Sequence, residues 1–231
     1  MNFEDKKQRE GELLTNDAEH VNVSPAVIRR LPRYFRYLRE LIRQGKMRIS
    51  SGELSAMMGV TASQIRQDLN CFGGFGQQGY GYNVNYLYAR ICDLLGVGAG
   101  FRAVLIGSGD LGRALVRAPM FEKRGVDIIA MFDVSPLQIG REVAGITIRD
   151  MNQLEDFCRE VRVDMAVLTL PKECVEVEAQ RLLQCGVRGF WNFTGKELTF
   201  DDDSVVVENV HLGDSLMILN YQLRQNKLKK K

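Results

Sequence analysis

The chain has 231 residues, 45% of them hydrophobic, which is enough for one large domain or two small ones. Its formal net charge is only +2, so the overall charge does not indicate a nucleic acid, a membrane or an acidic substrate as the partner. The N-terminus lacks the apolar region of a secretory signal and no run is long enough to span a membrane. The five cysteines form no C-x-x-C pair and there are only two histidines. We therefore predict a cytoplasmic protein with no membrane contact and no metal site.

The N-terminal part of the chain changes character after residue 21. Residues 1–21 are polar and charged, and we expect a poorly ordered leader. In the following SPAVIRRLPRYFRYLRELIRQG, apolar residues recur at three- and four-residue spacing, which is typical of an amphipathic helix. They are Ile28, Leu31, Phe35, Leu38 and Ile42. Ser24 is a suitable N-cap and Pro25 suits a first turn. Pro32 lies inside the pattern, so the helix either begins later or is kinked there.

Two short helices and a hairpin are predicted next. Ser50 or Ser51 caps the first helix, and Thr61 with Gln64 three residues on has the pattern of a capping box at the start of the second. Two such helices joined by a glycine-containing turn predict a helix-turn-helix. The stretch GGFGQQGYGYNV predicts a β-hairpin that turns near residues 77–79. This order of elements is that of a winged helix.

Positive charge is concentrated in the same part of the chain. Residues 24–70 contain nine arginine or lysine residues and three acidic ones. Such a surface binds DNA phosphates with release of counterions, and the alternative is an exposed helix face without a ligand. The structural pattern favours DNA.

Geometry selects the residues that would touch DNA. The N-terminal part of the second helix of a helix-turn-helix meets base edges in the major groove. Thr61, Ser63, Gln64 and Gln67 occupy those positions, and Arg66 can reach a guanine or a phosphate. At the hairpin tip, Gln77 and Gln78 would enter the minor groove or lie along the phosphates.

A linker is predicted at LGVGAG, residues 95–100, which has three glycines in six residues. We therefore predict a winged-helix domain over residues 22–96, a second domain over residues 99–212 and a C-terminal segment over residues 213–231.

The second domain opens with AVLIGSGDLGRALV, a strand, a glycine turn and a helix. Gly107, Gly109 and Gly112 fit G-x-G-x-x-G, and Asp133 ends the next strand about 20 residues later. The glycines allow backbone N–H groups to approach a pyrophosphate at a helix N-terminus, and the acid binds ribose hydroxyls. An acid here favours NAD over NADP. Tight packing of a βα unit without a ligand is the alternative.

The remainder alternates between strands and helices, which predicts a parallel sheet covered on both faces. Lys172 and His211 are the candidates for proton transfer in a dehydrogenase, and neither has a visible acid–base partner. We therefore predict that the protein is not an enzyme, with an NAD-dependent oxidoreductase as the alternative.

The C-terminal segment has an apolar helical stripe of Leu212, Leu216, Leu219 and Leu223, with Asp214 as a plausible cap. The stripe packs either on its own domain or on a partner subunit, and we favour the partner.

Several motifs together resemble the Rex family of redox-sensing transcriptional repressors. They are SPAVIRRLPRYFRYLRELIRQG, ISSGELSAMMGVTASQIRQDLNCFGGFGQQGYGYNV, GSGDLGRAL, MFDVSPLQIG, LTLPKE, GVRGFWNF and VENVHL. The resemblance runs from about Ser24 to the end of the chain. It implies a homodimer with a winged-helix domain, a Rossmann domain and a C-terminal helix exchanged between subunits. It also implies that NAD-bound protein binds an operator and that NADH releases it.

Other positions depart from the family. The basic residue after the recognition-helix arginine is replaced by Gln67, and a usually basic wing tip is Gln77 and Gln78. Ala118 stands where the family commonly has a tyrosine. His211 stands in place of the acid that ends the family's VENVD stretch, and Leu212 stands in place of the aromatic residue that follows it. Arg36, which resembles the partner of these residues on helix one, is retained. We therefore expect weakened or altered discrimination of NADH, with regulation by another ligand as an alternative.

The predictions are as follows. The fold class is α/β, with an N-terminal winged helix-turn-helix domain, a Rossmann-type parallel-sheet domain and a C-terminal dimerisation helix. The ligands are NAD or NADH and a palindromic double-stranded DNA operator, bound by a homodimer. The residues predicted to bind the dinucleotide are Gly107, Ser108, Gly109, Asp110, Leu111, Gly112, Asp133 and Pro171. The residues predicted to bind DNA are Arg29, Arg36, Thr61, Ser63, Gln64, Arg66, Gln67, Asn70, Gln77 and Gln78.

Overall fold

The computed structural model describes residues 23–71, 76–77 and 80–229, and it divides the chain into two compact units between Leu95 and Gly96. The predicted leader over residues 1–21 and the hairpin-tip residue Gln78 lie outside the described residues.

The N-terminal unit contains five helices and a small antiparallel sheet within its described part. The helices are α1 (Pro25–Ile28), α2 (Leu31–Arg43), α3 (Ser51–Met58), α4 (Ala62–Asn70) and α5 (Val84–Leu94). The strands are β1 (Arg48–Ile49), β2 (Gly76–Gln77) and β3 (Gly81–Asn83), in the order β1-β3-β2. A helix-turn-helix formed by α3 and α4, followed by a hairpin, gives the predicted winged helix.

Proline explains how the first predicted helix divides. The helical pattern breaks after Ile28, and Pro32 lies in the first turn of α2, where its missing N–H costs no helical hydrogen bond. Ile28 was predicted on the apolar face, but it lies at this break and is exposed. On α2, Leu31, Phe35 and Leu38 are buried as the spacing predicts.

Capping residues define the two helices of the helix-turn-helix. Ser50 and Glu53 form a reciprocal capping box at the start of α3, and bonds from Lys46 and Ser50 lower the pKa of Glu53 to about 2. Thr61 caps α4 by accepting a hydrogen bond from the backbone N–H of Gln64 at 3.1 Å. The predicted box at Thr61 is only half formed, because the Gln64 side chain bonds to Asp68 instead.

The C-terminal unit contains a seven-stranded sheet in the order β10-β9-β8-β4-β5-β7-β6. Its strands are β4 (Phe101–Ile106), β5 (Val126–Asp133), β6 (Glu142–Val143), β7 (Ile146–Asp150), β8 (Met165–Leu168), β9 (Gly189–Asn192) and β10 (Val206–Asn209). All neighbouring pairs are parallel except β6 with β7. The order of the parallel strands is that of a Rossmann fold, as predicted.

Helices cover both faces of this sheet, because alternate side chains of each strand point to opposite sides. The helices are α6 (Asp110–Arg117), α7 (Leu154–Glu160) and α8 (Val175–Gln184). Val104 and Ile106 of β4 pack in a cluster with residues of α7 and α8. Leu105, between them, packs in a second cluster that includes Leu115 of α6.

The C-terminal helix, α9 (Leu212–Lys229), already begins before Asp214, so Asp214 lies in its first turn and is not its cap as predicted. Its apolar side chains are exposed around much of the helix: Leu212, Leu216, Met217, Ile218, Leu219, Tyr221, Leu223 and Leu228. Across the described residues, no helix combines the length and apolar character that crossing a membrane requires.

Candidate nucleotide and DNA sites

The glycine turn lies at the carboxyl end of β4, between its neighbours β5 and β8. The backbone N–H of Gly107 donates to Phe132 of β5 at 2.8 Å, and Thr169, just after β8, donates to Ile106 at 2.9 Å. The chain continues from β4 to β5 in one direction along the sheet and from β8 to β9 in the other. The strand order therefore reverses here, where α/β proteins bind ligands in the crevice outside the strand ends. The fold therefore places the G-x-G-x-x-G motif at the expected ligand edge.

The three glycines of the motif have different reasons to be glycine. Gly107 has a φ of +94°, and a Cβ there would lie 2.8 Å from the carbonyl of Thr169. A Cβ on Gly112 would overlap the carbonyl oxygen of Gly107 and lie 2.8 Å from Thr169 Oγ1. A Cβ on Gly109 would meet no atom within 4 Å. Gly107 and Gly112 thus serve packing, whereas the space beside Gly109 fits an approaching phosphate.

Asp133 holds the turn from the end of β5. One carboxylate oxygen accepts the Ser108 backbone N–H and hydroxyl, both at 2.6 Å, and the other accepts the Ser135 N–H at 2.8 Å. Burial favours a higher pKa, but the hydrogen bonds from Ser108 and Ser135 outweigh it and the pKa of Asp133 is lowered. The carboxylate is therefore ionised at neutral pH, as a group that accepts bonds from ribose hydroxyls must be.

Two residues that hold the glycine turn in place were not predicted from the sequence. Arg113, one residue after the motif, donates to the Ser108 carbonyl at 3.0 Å, to Gln138 at 3.2 Å and to Asp110 at 2.6 Å. Thr169 Oγ1 donates to the Gly107 carbonyl at 2.7 Å. The position of Arg113 directly after the glycines is the one signal that could have identified it; for Thr169 only the folded sheet shows the contact.

The other predicted dinucleotide residues lie around the same edge. Gly109 is the N-cap of α6, and Asp110 and Leu111 are the first residues of that helix. Pro171 is exposed in the segment after β8, and its carbonyl accepts the Cys174 N–H at 3.0 Å. The open N-terminus of α6 and the ionised Asp133 fit a pyrophosphate and a ribose, respectively.

Replacing Asp133 with alanine should weaken NADH binding by about tenfold or more, since a charge-assisted hydrogen bond contributes about 1.5–3 kcal/mol. The change should also reduce the preference for NADH over NADPH, because the acid repels a 2′-phosphate. Calorimetric titration with both nucleotides measures this effect. Asp127→Ala, at the exposed opposite end of the same strand, is the matched control. Unchanged NADH affinity in Asp133→Ala would show that the carboxylate does not contact the ligand.

Three of the positions that depart from the family pattern lie in the C-terminal unit. Ala118 ends α6 as its C-cap, and Leu212 begins α9 and is exposed. His211 Nε2 lies 2.9 Å from Oε1 of Glu197. The ring of His211 thus has an acidic partner that the sequence did not indicate.

The recognition helix α4 presents most of its predicted DNA-binding residues to solvent. Ser63, Arg66, Gln67 and Asn70 are exposed, whereas Gln64 is half-buried. Thr61 is exposed too, but its hydroxyl caps the helix. The Arg66 guanidinium donates to Ser51 Oγ of α3 at 3.2 Å. Four side chains of this short helix are therefore exposed and free to contact bases in a DNA groove.

The remaining predicted DNA-binding residues are distributed over other elements. Arg29 and Arg36 are exposed, at the break before α2 and on α2. The backbone of Gln77 belongs to β2. Arg48 was not among the residues predicted to bind DNA. It is exposed on β1 at the base of the hairpin, and its guanidinium carbon lies 5.8 Å from the centre of the Tyr80 ring.

A buried carboxylate on α4 joins the recognition helix to α2. The side chain of Asp68 is fully buried and accepts two hydrogen bonds from Arg30, both at 2.7 Å. It also accepts bonds from the Tyr34 hydroxyl at 2.9 Å and from Gln64 Nε2 at 2.8 Å. Burial favours a higher pKa, but the bonds from Arg30, Gln64 and Tyr34 outweigh it and lower the pKa of Asp68.

This network should make the stability of the protein depend on pH. Because the folded-state pKa of Asp68 lies below its unfolded value, its contribution is complete above about pH 5 and is lost as the pH falls through the folded pKa. Urea unfolding followed by helical circular dichroism at pH 6, 5, 4 and 3 measures this loss. The stability difference between the unmodified protein and Asp68→Asn should shrink toward pH 3. A difference independent of pH would contradict an ionised Asp68.

Cysteines and metal ligands add no further site. Cys71 and Cys174 are exposed and the other three cysteines are half-buried. In the described part of the chain, no three histidine, cysteine, aspartate or glutamate side chains are grouped as a metal site requires.

Comparison with known proteins agrees with this two-part organisation. Residues 22–70 match the family described as "Putative DNA-binding protein N-terminus", and residues 101–195 match "CoA binding domain". The redox-sensing transcriptional repressor Rex of Caldicellulosiruptor saccharolyticus is 48% identical over 209 residues, which are 90% of this chain and 95% of that protein.

Solved structures give the same result. The crystal structure of RSP in complex with NAD+ and operator DNA has a TM-score of 0.83 and 47% identity, covering 90% of this chain and 95% of that one. The crystal structure of RSP in complex with NADH has a TM-score of 0.83 and 44% identity, with coverage of 90% and 98%. Identity at this level over nine-tenths of the chain establishes the family: this protein belongs to the Rex family of redox-sensing transcriptional repressors.

Proposed function

We propose that this protein is a transcriptional repressor whose binding to a DNA operator is regulated by NAD and NADH. The observation that carries the proposal is the ionised Asp133 beside the open glycine turn, in a chain whose other unit is a basic winged helix. RSP, a relative of the same family, has been crystallised with NAD+ and operator DNA and with NADH, which supports both ligands.

Each part of the dinucleotide has a matching group in the C-terminal unit. The backbone N–H groups at the N-terminus of α6 would bind the pyrophosphate, with Gly109 leaving room for it. Asp133 would accept bonds from ribose hydroxyls and disfavour a 2′-phosphate. Arg113 and Thr169 hold the turn in shape before the ligand arrives. The nicotinamide, when bound, supplies the redox state that the protein senses.

Operator binding would use α4 in the major groove and the hairpin along the backbone or minor groove. A homodimer follows from α9, whose apolar side chains are exposed and need a partner surface. We propose that this helix is exchanged with the partner subunit. Two-fold symmetry would then match a palindromic operator, in the cytoplasm where bacterial operators are found.

The sensing step should differ from that of other family members. Ala118 has no hydroxyl, and His211 brings an imidazole beside Glu197 where the family has an acid. A response that depends on a tyrosine, an acid and Arg36 therefore lacks two of its three groups. We propose that NADH releases operator DNA less completely than in the family, or that another ligand has taken over the regulation.

Catalysis is not part of this proposal. Lys172 is exposed at the strand edge. His211 Nε2 lies 2.9 Å from Oε1 of Glu197, which is an acid–base pair that the sequence did not reveal. An NAD-dependent oxidoreductase is the alternative. Hydride transfer from NADH to any substrate, measured as the loss of absorbance at 340 nm, would support this alternative.

Titration with NAD+ and NADH, followed in the same sample by binding to a labelled Rex-type operator, tests the proposal. We expect NADH to bind and to change DNA affinity less than about tenfold. Full release by NADH would show that Ala118 and His211 are tolerated. Coenzyme A is the control ligand, because one matching family is named for it. Binding of coenzyme A without NADH binding would contradict the proposal.

A further inference from the structure

The side chain of Gln64 is fixed by a neighbour on its own helix. Gln64 Nε2 donates to Oδ1 of Asp68, one turn later on α4, at 2.8 Å. Arg30 donates to both carboxylate oxygens of Asp68, and the Tyr34 hydroxyl donates to Oδ2. Both oxygens of this buried group therefore accept two hydrogen bonds each, so the carboxylate is held on several sides.

The direction of the Gln64 carboxamide follows from chemistry. An ionised carboxylate only accepts hydrogen bonds, so the NH2 group of Gln64 must face Asp68 and Oε1 must point away from it. Amide orientations are commonly ambiguous because oxygen and nitrogen look alike, but the reversed orientation here would place Oε1 against a carboxylate oxygen. Asp68 thus removes the ambiguity from Gln64.

Gln67, which lies about one turn after Gln64 on α4, has a different environment. It is exposed, and among the described residues its side chain makes no hydrogen bond; only its backbone carbonyl accepts a bond from Cys71. A free carboxamide can present its oxygen or its NH2 group to a base edge, depending on the base. The two glutamines of the recognition helix therefore differ in adaptability although they are the same residue type.

We propose that Asp68 is a positioning residue for operator specificity, which fixes Gln64 with its oxygen directed outward so that it selects a base bearing an exocyclic amino group. In the major groove such groups are N6 of adenine and N4 of cytosine, whereas guanine O6 and thymine O4 are acceptors that Oε1 repels. Gln67, being unfixed, adapts to either kind of base. This inference rests on the proposed function, because it requires α4 to enter the major groove.

The test measures base preference with the full-length protein in the presence of NAD+. A labelled Rex-type operator competes with operators that carry every single-base substitution, made symmetrically in both half-sites. Gln64→Met should reduce the preference at one position from about tenfold to nearly none. Asp68→Asn should remove the base preference at the same position. Asparagine can donate as well as accept hydrogen bonds, so it no longer fixes the orientation of the Gln64 amide. Arg30→Lys keeps the carboxylate and should keep the preference, even where overall affinity falls.

Several outcomes would overturn the inference. One is a folded Asp68→Asn that retains the base preference of the unmodified protein. Another is an Arg30→Lys that flattens the position as strongly as Asp68→Asn, which would show a structural effect only. Gln67→Met is the matched control on the same helix and should leave the base preference at the Gln64 position unchanged.

A second measurement needs neither DNA nor a folded Asp68 variant. In the 1H–15N spectrum of the unmodified protein, the Gln64 NH2 pair, assigned by its absence in Gln64→Met, should exchange slowly with solvent. The Gln67 pair should exchange at the rate of a free amide. Equal rates would contradict the fixed amide. If the amide is fixed but the protein binds no operator, the proposed function fails while the orientation stands.

Discussion

Replacing Gly112 with alanine is expected to lower the free energy of unfolding by about 1–3 kcal/mol and to abolish dinucleotide binding. The added methyl group would overlap the Gly107 carbonyl oxygen and crowd Thr169, so α6 would have to move away from the turn. Because the first turn of α6 forms the proposed pyrophosphate site, a displaced helix would not present its N–H groups correctly. Urea unfolding and calorimetric titration with NADH measure the two effects on one sample.

Gly109→Ala is the matched control for this prediction. Its φ is −64°, which any residue can adopt, and its Cβ would meet no protein atom within 4 Å. The stability of the folded protein should therefore stay within about 0.5 kcal/mol of the original, while NADH affinity falls because the methyl group occupies the space of the phosphate. Equal destabilisation by both variants would show that the distinction between packing and ligand glycines is wrong.

If the proposed homodimer forms through α9, introducing Leu216→Asp together with Leu219→Asp should convert it to a monomer and weaken operator binding by about 100-fold or more. Both side chains are exposed on α9, at 58% and 48%, and would be buried by a partner subunit. Two charges in an apolar interface cannot be compensated, since burying an unpaired charge costs several kcal/mol. A monomer binds one half-site and loses the advantage of two linked contacts. Sedimentation velocity gives the oligomeric state, and fluorescence anisotropy gives the DNA affinity.

The control for this pair carries the same charge on the same helix. Gln222→Asp and Asn226→Asp replace polar, exposed residues of α9 and should leave the dimer and its operator affinity unchanged. If Leu216→Asp with Leu219→Asp still sediments as a dimer, α9 is not the dimer interface. A dimer lost in both double variants would indicate sensitivity to charge and would contradict a specific apolar contact.

Local signals made the winged helix and the Rossmann domain predictable. Ser50 and Thr61 mark the starts of α3 and α4 because capping depends on a few neighbouring residues. The glycine motif identifies the turn between β4 and α6, because backbone conformation and close packing restrict Gly107 and Gly112 to glycine. Asp133 marks the end of β5 through its spacing from the motif. Where residues next to each other in the chain determine the structure, the sequence was sufficient.

Elements that depend on distant partners were missed. Strand β1 has two residues and exists because it pairs with β3, which follows the helix-turn-helix in the chain. The hairpin of β6 and β7 is local, but Ala144 in its turn has a φ of 51°, which alanine rarely adopts, so the residues there do not indicate a turn. Asp68 looks like one more polar residue on an exposed helix face, yet Arg30, 38 residues earlier, makes it a buried acceptor. Only tertiary contacts reveal such a role, and they also explain why Gln64 leaves the predicted capping box.

The bonding around the glycine turn bears on how quickly the protein can respond. Asp133 and Arg113 hold the Ser108 backbone from two sides, and Thr169 holds Gly107. A turn that is already in its binding shape requires no slow loop closure, so nucleotide association would proceed at the rates of rigid sites, about 10⁵–10⁷ M⁻¹s⁻¹ or faster. At millimolar nucleotide the site would then refill within about 10 milliseconds, far faster than transcription. An empty site would thus refill without delay, and the time needed to exchange one nucleotide for the other would be set by dissociation of the first.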